Sequence, residues 1–193
     1  MTRARIKEAA VARFAEQGYE GTPLSEIAKL VGIKTPSIYA HYASKEDLLV
    51  EIWSDLVDDY VEKMEQILEE IRELPLKAFL NGMMQAYGNY FQERPVLYQL
   101  WARLLMFPPP ALRDRVIADT FAVEEKILGQ ITEHLEHGIQ SGELKKAPVE
   151  DHLAAYTIAK EGYCSWLIFY QPEDVKPMTE RVWDLFWTGI SGE

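Results

Sequence analysis

From Thr2 to Ile190 the apolar residues recur every three to four positions and nowhere alternate as they would along a strand. Gly18, Gly32, Pro75, Pro95, Pro108, Pro109, Pro110, Gly142, Pro148, Pro172 and Pro177 interrupt the pattern. Glycine and proline end helices for backbone reasons, so these positions punctuate the chain. The spacing predicts helices over about 2–17 and 22–31, a third ending at Tyr42, then 44–74, 76–93, 96–107, 111–140, 148–171 and 177–190. With no hairpin signal, the expected fold is all-α: three small N-terminal helices over residues 1–48, then a larger helical bundle over 49–193.

The local signals in the head are specific. Ile6, Ala9, Ala10 and Phe14 share one side of the first helix. Thr22 is expected to cap the second, with Pro23 at its first position, where the missing N–H has no helical partner. Leu24, Ile27, Ala28 and Val31 keep the spacing of a buried face, and Gly32 breaks it. Ser44 caps the fourth helix, with Asp47 three residues on as in a capping box.

The net charge of −11 over 193 residues argues against a polyanionic partner only if the charge is evenly spread. It is not. Arg3, Arg5, Lys7, Arg13, Lys29, Lys34 and Lys45 outnumber Glu8, Glu16, Glu20 and Glu26 in the first 45 residues, a balance of +3 against −14 elsewhere. A basic head on an acidic body favours an oriented approach to nucleic acid. The start MTRARIKEAA has no signal-peptide core, no apolar run suits a membrane, and Cys164 has no partner for an internal disulfide. A cytoplasmic protein is expected.

Two short helices joined at a glycine resemble a helix-turn-helix, whose second helix enters the major groove. Packing needs Leu24, Ile27, Ala28, Ile33 and Ile38 inside, but not Thr35, Pro36, Ser37, Tyr39 and His41. Small hydroxyl residues at a helix start reach base edges or phosphates, and Tyr39 and His41 are long enough for the backbone. Lys45 adds to this. A cation in the first turn opposes the helix dipole, and folding alone supplies no reason for it. A phosphate there would be met by free N–H groups and the lysine together, so Lys45 is expected to face DNA.

These residues carry a resemblance. The stretch from Thr22 to Leu49 is similar to the N-terminal domain of the TetR family of transcriptional regulators, with Thr22, Ile27, Ala28, Gly32, Tyr39, His41, Tyr42, Ser44 and Lys45 in register. The preceding RFAEQGYEGT also fits. At Lys34, Thr35 and Pro36 the chain departs from the family's commoner Ser, Lys and Gly. If Thr35 caps the recognition helix, Pro36 takes its first position and Lys34 becomes a backbone contact from the turn. The bases read then differ from those of other members. The resemblance implies a DNA-binding regulator, most often a repressor, with Thr22, Lys34, Thr35, Pro36, Ser37, Tyr39, His41 and Lys45 at double-stranded operator DNA.

In the larger bundle the last helix is apolar on two adjoining faces. Trp183, Phe186, Trp187 and Ile190 form one, and Met178, Val182, Leu185 and Gly189 the other. The arc spans roughly 200°, about twice a core-facing stripe. The helix at 148–171 is similar, with Tyr156, Ile158, Tyr163, Trp166 and Leu167 spread around it. A symmetric homodimer follows, with Tyr156, Tyr163, Leu167, Val182, Leu185 and Phe186 at its interface. The family resemblance also implies an inducer cavity. Met64, Met84, Tyr87, Phe91, Trp101 and Phe121 suit a small apolar or aromatic ligand, with Glu124, Glu125 or Glu161 a candidate for meeting a cationic group.

His134 and His137 at i, i+3 permit a metal, yet a solvated polar face explains them as well and no metal is expected. No phosphate loop, dinucleotide motif or nucleophile elbow occurs. No cofactor, catalysis or membrane partner is expected. The alternative reading is an all-helical small-molecule binding protein or enzyme without regulatory DNA binding.

Overall fold

The computed structural model describes the backbone of residues 2–169 and 172–192, and their side chains except 168–177. Among the described residues there are nine α-helices and no strand. They are α1 Thr2–Gly21, α2 Leu24–Val31, α3 Thr35–Tyr39, α4 Lys45–Ile71, α5 Leu76–Gln92, α6 Pro95–Met106, α7 Arg113–Ser141, α8 Val149–Phe169 and α9 Pro172–Ile190. A 3-10 turn at Pro110–Leu112 precedes α7. The order matches the all-α expectation, though α9 starts earlier than residue 177. Proline is tolerated at a first helical position, and Pro172 takes it.

The helices gather into two compact units. The first holds residues 1–61 and 94–122, the second 62–93 and 123–193. The first unit reaches well beyond residue 48 because its core needs more chain. Ile6, Phe14, Ile27, Ile38, Leu48, Ile52 and Trp53 pack in one cluster with Leu100, Leu104, Leu112 and Val116 from α6, the turn and α7. Trp53 lies 5.1 Å from Trp101, ring centre to ring centre, and its indole N–H donates to Asp119 at 2.9 Å. A buried indole needs such a partner.

Gly18 interrupts α1 with φ +80°, a backbone region that side-chain-bearing residues avoid. A Cβ there would also lie 2.9 Å from the Arg103 guanidinium. In the second unit Met64, Leu68, Phe79, Met83, Tyr87, Ile131, Leu135, Tyr156 and Trp183 are buried. Within it a groove of about 740 Å3 opens between α5, α8 and α9. No helix among the described residues is long and apolar enough to cross a membrane.

Candidate nucleic-acid interface

The turn between α2 and α3 is built from backbone. Gly32, at φ +77°, donates its N–H to Lys29 O at 3.2 Å, and Ile33 N–H donates to Ala28 O at 3.0 Å. This is the Schellman pattern, which satisfies the last carbonyls of a helix and needs a left-handed residue after it. α3 follows with Lys34 at its N-cap in an extended conformation. Thr35 is therefore the first helical residue and not the cap, and Pro36 the second. Proline's fixed φ and missing donor suit either position.

Ile38 is fully buried and fixes α3 to the head core. Lys34, Pro36, Ser37, Tyr39 and His41 are exposed, Tyr39 by 56%, and Thr35 is half-buried. One apolar anchor thus presents a row of polar and small side chains. The fourth helix begins as expected, with Asp47 N–H donating to the Ser44 hydroxyl at 2.9 Å.

Two residues expected at DNA are engaged within the head. Thr22 is completely buried, and its hydroxyl donates to Gly18 O at 2.8 Å and Arg13 O at 3.3 Å. It locks the end of α1 and cannot reach DNA. It does not cap α2 either, since Pro23 occupies that position without a side-chain cap bond. Lys45 does have a reason in the fold. Its ammonium donates to Tyr19 O at 2.6 Å and Thr22 O at 3.1 Å and sits 4.1 Å from the Tyr19 ring centre. The dipole it opposes at the start of α4 is offset by the carbonyl end of α1, and the ring adds a cation–π contact. Lys45 joins α4 to the α1–α2 connection.

Most other cations of the head are also engaged. Arg3 is bound to Glu51, and Lys7 to Asp55 and, at 3.1 Å, Glu51. The Arg3 guanidinium, with Lys7 beside it, holds the Glu51 carboxyl below its usual range. Arg13 pairs with Glu16 at 2.8 Å, and Arg5 donates to Val31 O at 3.2 Å. Lys29 and Lys34 are exposed and carry no ion pair among the described residues. They flank the turn. Lys29 was counted in the charge of the head but not assigned to DNA. It lies on the exposed flank of α2, beside buried Ala28.

The residues expected at a ligand fall in both units. Met64, Met84 and Tyr87 are buried in the second unit, whereas Trp101 belongs to the first and packs near Trp53 and Tyr60. Phe121 is 67% exposed, Phe91 is half-buried, and Glu161 is exposed and paired with Lys160 at 2.9 Å. Of these, Met84 borders the groove. Aromatic and methionine content marks burial but not what lies opposite.

The dimer set divides by face. Tyr156 is fully buried and its hydroxyl donates to Leu80 O at 2.9 Å, so it belongs to the protomer core and not to an interface. Tyr163 and Leu167 are half-buried and border the groove, and Phe186 packs 5.5 Å from Trp183. Val182 and Leu185 are 52% and 74% exposed, with Ile158 and Trp166 exposed on α8. The two-faced reading of α9 therefore holds for its side chains: Trp183 and Ile190 inside, Val182 and Leu185 outside.

His137 is exposed and His134 half-buried. The His134 ring stacks on Phe79 at 3.8 Å, with nitrogens 2.9 Å from Gln130 O and 3.0 Å from Arg72 O. No group of three or more metal-ligating residues occurs among the described residues.

Residues 6–52 match the family model for bacterial regulatory proteins of the tetR family. Over 189 residues the chain is 27% identical to the fatty acid metabolism regulator protein of Bacillus subtilis (strain 168), covering 96% of this chain and 94% of that one. It is 28% identical over 142 residues to the HTH-type transcriptional repressor KstR2 of Mycobacterium tuberculosis, covering 72% and 68%. A crystal structure of the transcriptional regulator FadR from Bacillus subtilis in complex with stearoyl-CoA superposes with a TM-score of 0.68 at 25% identity, covering 97% and 98%. Together with the exposed recognition helix held by Ile38, these likenesses identify residues 6–52 as a DNA-binding head of the tetR type, in a chain similar along its length to transcriptional regulators that carry one.

Proposed function

We propose that the chain is a cytoplasmic repressor that holds a palindromic operator as a homodimer and releases it when a small apolar molecule occupies the larger helical unit. The observation that carries the DNA half is α3 itself. A single buried residue, Ile38, anchors a helix on which Pro36, Ser37 and Tyr39 are exposed and Thr35 half-buried. Pro36, Ser37 and Thr35 lie where a helix N-terminus enters the major groove, and Tyr39 and His41 reach the strands beside it. Lys34 makes its expected phosphate contact from the turn, and Lys29 on the neighbouring flank adds another.

Footprinting on the DNA upstream of the chain's own coding sequence tests this. Two symmetric protected half-sites about one DNA turn apart are expected. Lys34→Ala should weaken binding to all sequences alike and reduce the salt slope by about one per subunit. Ser37→Ala should change preference at one base pair by about 1–3 kcal/mol. Ligand binding with no footprint would favour the alternative of a helical binding protein without regulatory DNA contact.

Long-chain acyl thioesters are the first ligand class to examine, because the similar Bacillus structure is described with stearoyl-CoA. Calorimetry with and without operator decides the regulatory half. Linkage is reciprocal, so a ligand that lowers operator affinity must bind more weakly to the DNA complex by the same factor, typically about 5–150-fold. Equal affinities would mean a ligand that does not control the head.

A further inference from the structure

We infer that the groove between α5, α8 and α9 is a ligand site for neutral, amide-bearing molecules. One wall is a row of side-chain amides. Asn81, Gln85 and Asn89 follow each other at four-residue spacing along α5, and Gln92 closes the row. Residues four apart lie on one helix face, so the row runs the length of the groove. Gln85 donates to Asn81 at 3.4 Å. The Gln92 side-chain nitrogen is buried and has no hydrogen-bond partner among the described residues. An unmet buried donor is costly and marks a place where an acceptor belongs. Asparagine is a poor helix former, and Asn89 is exposed, so neither packing nor propensity accounts for it there.

The other wall is apolar. Trp183 and Tyr163 face the amides, and Met84 lies on the same side of α5 as the row. Aromatic surface opposite convergent polar groups is the make-up of small-molecule sites, and about 740 Å3 lies within their usual size range. Charge narrows the class. Among the described side chains of the lining, Lys77 is paired with Asp184 at 3.2 Å, which leaves Glu180 as an unbalanced charge. These described charges repel carboxylates and phosphates, so a phosphate-bearing acyl thioester would bind elsewhere in the unit and the two ligand readings stand or fall separately. A molecule with carbonyl acceptors, N–H donors and an apolar body meets the amides, the Gln92 donor and the aromatic wall together.

The groove stays open if a partner covers the exposed stripe. On α9 Trp183 turns to the groove, while Val182 and Leu185 lie on the opposite side. On α8 Tyr163 and Leu167 turn to it, and Ile158 and Trp166 lie outside. The inference is independent of operator binding, and its test contains no DNA.

The full chain is titrated with N-acetyl-phenylalanyl-leucinamide and, separately, with the free acid N-acetyl-phenylalanyl-leucine. Side-chain amide resonances of Asn81, Gln85, Asn89 and Gln92 and the Trp183 indole are followed by NMR. Saturable shifts at the Gln92 amide and the Trp183 indole are expected for the neutral amide, with affinity at least about tenfold above that of the acid. Asn89→Leu, at an exposed position, should weaken the amide by about tenfold. Glu180→Gln should narrow the gap between amide and acid. Absence of these shifts up to ~10 mM amide would overturn the inference, as would equal binding of the two probes. An Asn89→Leu variant that binds as the parent does would remove the amide row from the site.

Discussion

Lys45 shows how a single charge can be explained in two ways until its partners are seen. Its ammonium, held by Tyr19 O and Thr22 O, is part of the head's structure. Hydrogen bonds from a charged donor contribute about 1.5–3 kcal/mol, and half-exposure puts this one at the lower end. Lys45→Ala should therefore lower the unfolding midpoint of the head by an amount equivalent to about 1–2 kcal/mol. The salt slope of DNA binding should change less than it does for Lys34→Ala. Thermal denaturation and salt titration of both variants check this. An unchanged midpoint with a slope reduced by one per subunit would return Lys45 to the phosphate backbone. Cys164 permits a second test. Burial, with the Glu161 charge beside it, pushes the thiol up to about 12. An unfolded thiol ionises near 8.5. The folded state thus holds the extra proton in that window, so this contribution is complete below about pH 8.5 and declines as pH rises toward about 12. The slope is at most about 1.4 kcal/mol per pH unit. Comparing the urea midpoints of the parent and Cys164→Ala across that range isolates it. Iodoacetamide at pH 8 should label the thiol only as fast as the chain opens.

At the level of elements, the features legible in the sequence were those whose partners lie close in the chain. The Ser44 cap on Asp47 N–H and the Gly32 turn depend on backbone a few residues away, and both were visible as residue types at fixed offsets. Thr22 has the right type for a cap, but its hydroxyl turns back to Gly18 and Arg13, a choice that local sequence leaves open. The Lys45 bonds span 26 and 23 residues, and the packing of α6 into the head core spans more. No local pattern carries them. The contact of α5 with α8 is of this second kind, and Gly88 makes it possible. A Cβ there would lie 2.5 Å from both Leu167 Cδ1 and Tyr163 Cε1. Gly88→Ala should destabilise the second unit by about 1–3 kcal/mol, the usual cost of overpacking. It should also move Tyr163 and Leu167 and so weaken binding in the groove. Gly129→Ala on the exposed side of α7 meets nothing within 4 Å and should instead stabilise by about 0.5–1 kcal/mol. Denaturant midpoints with opposite signs for the same chemical change are the expected result. A neutral Gly88→Ala would mean the two side chains yield freely.

For the whole molecule, we propose that the exposed apolar stripe of α8 and α9 is where two chains meet. Ile158 and Trp166 lie eight residues apart on one side of α8, and Val182 and Leu185 on the outer side of α9. Contiguous apolar surface on a folded chain marks an interaction site, and a second copy of the same stripe is its simplest complement. A two-fold interface uses each residue twice. Leu185, at 74% exposure in the protomer, then gains nearly a full burial in each copy. Burying a leucine is worth about 1.5–3 kcal/mol. Removing both copies costs about 3–6 kcal/mol, and Leu185→Glu adds like-charge repulsion across the axis. The dimer dissociation constant should rise by roughly two to four orders of magnitude. Sedimentation at micromolar concentration should show twice the chain mass for the parent and the chain mass for the variant. Operator affinity should fall with it, because a lone recognition helix reads one half-site and the acidic body adds no attraction of its own. A Leu185→Glu protein that stays dimeric would place the interface elsewhere. One that is monomeric yet binds the full operator as tightly as the parent would separate dimerisation from DNA recognition.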